Sequence, residues 1–159
     1  MFINEYGIEQ SGEKLEGLLS LLDELLAAGV PIDGVGFQCH TSIDEEFSPS
    51  ELGQAMDAVI AKGLEVQITE LDVRINDDQT GKSSQKLAAQ AELFGAIASE
   101  AAQRYPECSA LVLWGLSDAD SYVNHSSWLS QDKDWPHPYD ENFMPKPAFQ
   151  ALYQALSRP

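Results

Sequence analysis

Four times along this chain a short apolar run gives way to a stretch with helical spacing. The runs are Phe2-Ile3 up to Tyr6, Ile32 to Phe37, Leu64 to Ile68, and Leu111 to Leu116. After the first run, Leu15, Leu18, Leu19, Leu22, Leu25 and Leu26 recur with the period of an amphipathic helix, and Gly29 and Pro31 close it. The pair Ser48-Pro49 opens a second helix, with Ser48 as cap and Pro49 in the first turn. That helix passes Met56, Val59 and Ile60 and stops at Lys62-Gly63. An alanine-rich helix is predicted over about Ser84 to Arg104. A last one begins near Lys146-Pro147 and carries Phe149, Leu152, Tyr153 and Leu156. Strand and helix in alternation, joined by short loops, is the pattern of parallel β/α units. The runs read as near-continuous Val/Ile/Leu segments, the signature of strands buried on both faces. Four such units are half of a (β/α)8 barrel, which usually takes about 250 residues. Four parallel strands alone leave two edges unpaired, an aggregation hazard, so the expectation is a piece of a larger barrel or a half that pairs with another. An open doubly wound sheet is the alternative, but no Gly-rich phosphate loop follows any strand.

Composition narrows the partners. The 159 residues fit one domain, and 26 acidic against 9 basic residues leave a formal charge of −17. That charge repels nucleic acid and an anionic membrane surface but permits a neutral polysaccharide. No apolar run approaches the roughly 20 residues that span a bilayer, and the opening residues show no signal-peptide pattern. Cys39 and Cys108 are too few for a disulfide framework and lack metal-ligand spacing.

In this fold class chemistry sits at the C-terminal ends of strands. Those positions hold Asn4 and Tyr6, Gln38 and His40, Glu70 and Asp72, and Trp114 and Asp118. Carboxylates, amides, one histidine and aromatic rings together suit a sugar, whose hydroxyls need donors and acceptors and whose faces stack on rings. Glu70 ends the alternating stretch Leu64 to Thr69, where a carboxylate is costly unless paired or functional. Asp72 is expected on the same side, and His40 is placed to donate to Glu70 and hold it ionised. The bland alternative is that Glu70 and Asp72 only cap the next loop.

The segments Val30 to His40, Gly63 to Val73, and Leu113-Trp114-Gly115-Leu116-Ser117-Asp118 settle between those readings by likeness. They resemble strands six, seven and eight of the endo-β-1,4-xylanases of glycoside hydrolase family 10. Phe2-Ile3-Asn4-Glu5-Tyr6 resembles that family's strand five, and Asp140-Glu141-Asn142 with Pro145-Lys146-Pro147-Ala148-Phe149 resembles the approach to its final helix. The motifs come in family order over nearly the whole chain. The resemblance implies an α/β fold that is the C-terminal half of a (β/α)8 TIM barrel, strands five to eight, with residues 1–159 a partial catalytic domain. It implies retaining hydrolysis of internal β-1,4-xylosidic bonds in xylan or xylo-oligosaccharides, with Glu70 as nucleophile. His40 and Asp72 would keep Glu70 charged and aimed, Gln38 would bond sugar hydroxyls, and Trp114 would floor the subsite. Asn4 and Tyr6 would line the aglycone side, and Tyr122 falls where the family has a second tryptophan. No cofactor, metal, nucleic acid or membrane is implied, and family habit implies secretion to the extracellular space. Partners besides the sugar would be the missing N-terminal half-barrel or a second copy. A non-catalytic xylan-binding half and a self-associating structural half stay open.

Departures from the family pattern are expected to matter. Cys39 stands where serine is common, and Gly7 where asparagine often follows the tyrosine. Cys39 and Cys108 are expected to remain unbridged. The family's acid/base glutamate ends strand four in an Asn-Glu pair, outside this stretch. Asn4-Glu5 mimics that pair, but Glu5 matches an acidic position of strand five and alternates away from its neighbours, so it is not assigned the role. Trp128, Trp135 and Tyr139 are expected to pin the long loop between Asp118 and Asn142 rather than wall a cleft. His125 and His137 are expected at the surface.

Overall fold

The computed structural model describes residues 1–125 and 133–157. The chain forms two compact units, Met1–Cys39 with Ser48–Leu71 and Glu100–Val112, and His40–Phe47 with Asp72–Ser99 and Leu113–Pro159. Trp128 lies outside the described residues.

In the first unit, β1 (Phe2–Glu5), β2 (Gly34–Phe37) and the front of β4 (Glu65–Arg74) pair in that order, all parallel. Asn4 lies opposite Gly36, which lies opposite Gln67. The strand β5 (Cys108–Leu113) also pairs with β4. Helix α1 (Glu13–Ala27) buries Leu15, Leu18 and Leu22, the stripe its leucine spacing predicts. Helix α2 (Pro49–Ile60) buries Leu52, Ala55, Met56 and Val59. Its start follows the prediction, with the Ser48 side chain accepting from the Glu51 N–H and Pro49 in the first turn. Gly53 in mid-helix has a steric reason: a Cβ there would lie 2.6 Å from Arg104 Nη2. Arg104 needs that space because it grips Asp57 with two 2.8 Å bonds and Glu100 with one of 2.6 Å.

The second unit contains β3 (His40–Ser42), parallel to the last residues of β4, from Asp72 to Arg74. Most of α3 (Ser84–Gln103) and all of α4 (Pro147–Leu156) belong to it. Phe94, Ile97, Ala98, Ala148 and Leu152 are buried there. The Gln90 amide donates to the backbone oxygens of Val73 and Trp135, both at 2.7 Å.

Four expectations need correcting. The third strand runs on from Glu65 to Arg74, so Glu70 and Asp72 lie inside it rather than at its end; its polar Thr69-Glu70 step hides the continuation from an apolar count. Strand β3 was not anticipated, since His-Thr-Ser has neither an apolar run nor alternation. The last strand begins at Cys108 and ends at Leu113 rather than spanning Leu111 to Leu116. Its small, polar opening escapes an apolar count, and Leu116 instead accepts from the Tyr139 N–H. Burial on both faces holds only for β2; β1 alternates with exposed residues, and Val112 in β5 is 46% exposed. Each of these outer strands pairs on one side only among the described residues, so half of its surface has no sheet neighbour.

Strand β4 also carries an irregularity that the sequence does not announce. Phe37 pairs with Ile68 and His40 with Asp72. Two residues, Gln38 and Cys39, therefore face three, Thr69, Glu70 and Leu71, and the extra residue is a bulge. Bulges interrupt strict in–out alternation and re-aim side chains.

Candidate active site

Glu70 sits at that bulge. Its N–H donates to the Gln38 carbonyl at 3.1 Å, and the Gln38 N–H donates to the Glu5 carbonyl at 3.1 Å. Gln38 thus ties the end of β1 to the middle of β4 through its backbone. The Asn4 amide donates to Glu70 Oε1 at 2.7 Å, and Thr69 Oγ1 donates to Asn4 Oδ1 at 2.6 Å. Asn4 therefore touches both Thr69 and Glu70, neighbours that a regular strand would point to opposite faces. The bulge reconciles this. The amide bond fixes the direction in which the Glu70 carboxyl points.

Tyr6 stands beyond the end of β1, 62% exposed, with Lys14 Nζ 3.6 Å from its ring centroid. One ring face is thereby covered by a cation. Lys14 also reaches Glu5 at 3.1 Å, and the Tyr6 N–H donates to the same Glu5 oxygen at 2.9 Å. The Tyr6 N–H above all, with Lys14, holds the Glu5 carboxyl below the usual range. A group so firmly ionised has no proton to give near neutral pH, so Glu5 is unsuited to be a general acid.

In the second unit, His40 Nδ1 donates to Asp72 Oδ2 at 3.1 Å. Asp72 is fully buried. Burial pushes its carboxyl up, while the hydrogen bond from His40 pulls it back. That bond makes Nδ1 the protonated nitrogen facing Asp72 and orients the ring. Trp114 is 48% exposed and meets the His40 ring edge-on, with centroids 6.1 Å apart. Tyr122, in a short 3-10 turn, lies 5.6 Å from the same ring and its hydroxyl is 3.4 Å from Nδ1.

Some residues do not follow their expectations. Asp118, grouped with the strand-end chemistry, is 2% exposed and bound to Lys146 at 3.0 Å, and it accepts from the His137 N–H at 2.9 Å. His137 is not at the surface; it is fully buried against Gly115, where a Cβ would lie 2.6 Å from its Nε2. The loop folds inward at Pro136-His137-Pro138, all three buried, and loop burial leaves no periodic trace in a sequence. His125 is exposed as expected. Trp135 and Tyr139 do pin the loop: Trp135 Nε1 donates to Glu141 at 2.9 Å, and the Tyr139 ring meets Phe149 at 5.2 Å. Cys39 and Cys108 are unbridged. Thr69 and Gly36 were missed as site residues, although a glycine inside a strand does signal a close approach.

Parallel strands alternating with helices, as these are, define part of an α/β barrel. The chain belongs to glycosyl hydrolase family 10, which it matches over residues 1–155. It is 34% identical to endo-1,4-beta-xylanase A of Cellvibrio japonicus, over 99% of this chain and 28% of that protein. It is 36% identical to endo-1,4-beta-xylanase C of Phanerodontia chrysosporium, over 99% of this chain and 37% of that one. Among solved structures it superimposes on a thermostable mutant xylanase of Cellvibrio japonicus with TM-score 0.86 at 33% identity. That match covers 99% of this chain and 49% of the other. A Thermotoga petrophila xylanase in complex with xylobiose gives TM-score 0.87 at 29% identity, covering 98% and 45%. The chain therefore spans 28% to 49% of these four relatives, and its fold is part of an α/β barrel.

Proposed function

We propose that this chain carries the nucleophile side of a retaining endo-β-1,4-xylanase. The Asn4–Glu70 bond at 2.7 Å supports the reading most directly, because it aims an accepting carboxylate at the bulge of the strand that resembles the family's nucleophile strand. A Glu70 oxygen attacks the anomeric carbon of a xylosyl unit, and the bond to the leaving oxygen breaks as the new one forms. That oxygen takes its proton from an acid, and water later displaces Glu70 with retention. His40, held by Asp72, is the positioning pair. Trp114 and Tyr122 supply ring faces to the sugar, Gln38 bonds its hydroxyls, and Asn4 with Tyr6 lines the aglycone side. The acid/base carboxylate comes from residues outside this stretch, because Glu5 is committed to Lys14.

A substrate that needs no acid tests this directly. A 2,4-dinitrophenyl β-xylobioside leaves as a stable phenolate, so the chain is expected to release dinitrophenol while hydrolysing xylan feebly. General acid catalysis is worth about 10²–10⁴-fold. Glu70→Ala should abolish the release. Equal release by the variant would sink the assignment, and tight xylo-oligosaccharide binding without release would point to a binding module instead.

A further inference from the structure

An asparagine amide has donors at one end and an acceptor at the other, and only one orientation helps a neighbouring carboxylate. Asn4 is exposed, so water and rotamer freedom compete for it. In the structure its nitrogen faces Glu70 Oε1 and its oxygen faces Thr69 Oγ1. We propose that Thr69 is a positioning residue for Glu70, acting through Asn4, and that Gly36 is glycine so that the two can meet. This deepens the reading of Glu70 as nucleophile and rests on it.

The strands supply the geometry. Asn4 is on β1 and Thr69 on β4, with β2 between them. Neighbouring strands stand about 4.8 Å apart, so side chains two strands apart normally have a third side chain between them. At Gly36 that side chain is missing. A Cβ there would lie 2.5 Å from Asn4 Oδ1 and 2.7 Å from Thr69 Cγ2, inside contact distance of both. The notch lets the Thr69 hydroxyl reach across β2 to the amide.

The hydrogen-bond count favours one arrangement. Thr69 has one hydroxyl proton and two acceptors in range, Asn4 Oδ1 at 2.6 Å and the Phe37 carbonyl at 3.2 Å. Given to Asn4, the proton fixes Oδ1 and leaves both amide protons pointing away from Thr69, one of them on Glu70. With the amide reversed, its oxygen would face a carboxylate oxygen, and two acceptors repel. Thr69 thus secures an exposed donor that would otherwise swing into water.

The test uses the full chain and 2,4-dinitrophenyl 2-deoxy-2-fluoro-β-xylobioside, which labels a glycosidase nucleophile covalently. Thr69→Val, nearly isosteric but without the hydroxyl, should slow labelling of Glu70 about 5- to 10-fold with unchanged affinity for the probe. A directly contacting donor is worth about 10²–10³-fold, and an indirect one less. Thr69→Ser should restore the rate to within about twofold. Labelling of Thr69→Val at the wild-type rate would overturn the proposal, as would an equally slow, folded Thr69→Ser. A second measurement needs neither variant nor reaction. In the unmodified chain, NMR should show the Asn4 amide protons close to the Glu70 Hγ protons and distant from the Thr69 methyl; the reverse would also overturn the proposal. If the probe labels nothing while the NMR pattern holds, the nucleophile reading has failed and the Thr69–Asn4 contact has not.

Discussion

The chain handles polar groups in two different ways. At Asn4, Thr69 and Glu70 the groups are accessible and satisfied in series, hydroxyl to amide to carboxylate. At Asp118, His137 and Lys146, in the other unit, they are buried. Lys146 Nζ bonds Asp118 at 3.0 Å and the Trp135 carbonyl at 2.6 Å, yet neither His137 ring nitrogen has a partner among the described residues. Burial pushes the Asp118 carboxyl up and the Lys146 ammonium down, and pushes the His137 imidazole down to about 4, with Lys146 adding to the last. The first arrangement holds a carboxylate in place while leaving it accessible. The second trades solvation for rigidity and ties stability to protonation.

The largest break in this contrast should come from Lys146→Met. It strands Asp118 as an uncompensated buried carboxylate, which typically costs about 3–5 kcal/mol. Urea unfolding at pH 7 measures it, and a loss under about 1 kcal/mol would mean that Asp118 is in effect solvated. Acid should act next. The folded His137 pKa of about 4 lies below its ordinary 6.5. The unfolded chain therefore takes up the proton first as pH falls. The stability from a neutral, buried His137 is complete above about pH 6.5 and drains away toward pH 4, by about 3 kcal/mol. Asp118, with its raised carboxyl, contributes in the opposite direction, and Glu141 and Asp134 lie near this pair. The informative quantity is thus the difference between the wild type and His137→Leu, followed by denaturation from pH 7 to pH 4. That difference should grow in favour of the leucine variant as pH falls; a constant difference would show that His137 does not titrate with unfolding. The smallest effect sharpens the contrast from the side of local structure. Ser48→Ala removes the α2 cap bond to the Glu51 N–H and should cost about 1 kcal/mol, read as a lower urea midpoint with unchanged slope.

The helices were legible because each announces itself twice, by periodicity and by its ends. Leu15, Leu18 and Leu22 share a buried face, and Ser48-Pro49 marks a start that the backbone honours. The strands were legible only where apolar residues dominate. Cys108-Ser109-Ala110 and His40-Thr41-Ser42 pair with β4 although neither triplet looks like a strand, since backbone hydrogen bonds, not side chains, hold them there. The site divides along the same line. Asn4 and Glu70 stand out because they follow apolar runs and fall in family motifs, although Glu70 proves to lie inside β4. Thr69 did not, because simple alternation turns it away from Glu70 and nothing in the composition reveals the bulge. His137 was misjudged for a related reason: a lone histidine in a polar loop looks solvated, and only the inward turn between Pro136 and Pro138 buries it.

The bulge in β4 makes the residue count of the chain, as well as its residue types, a determinant of where Glu70 points. Two residues on one strand against three on the other set which way Glu70 faces, independent of what those residues are. Inserting one residue beside Gln38 and Cys39 would even the count, as would removing one between Thr69 and Leu71. Either change could keep every named side chain and still turn the carboxylate off its mark. Anyone transplanting this strand must copy the mismatch along with the motif.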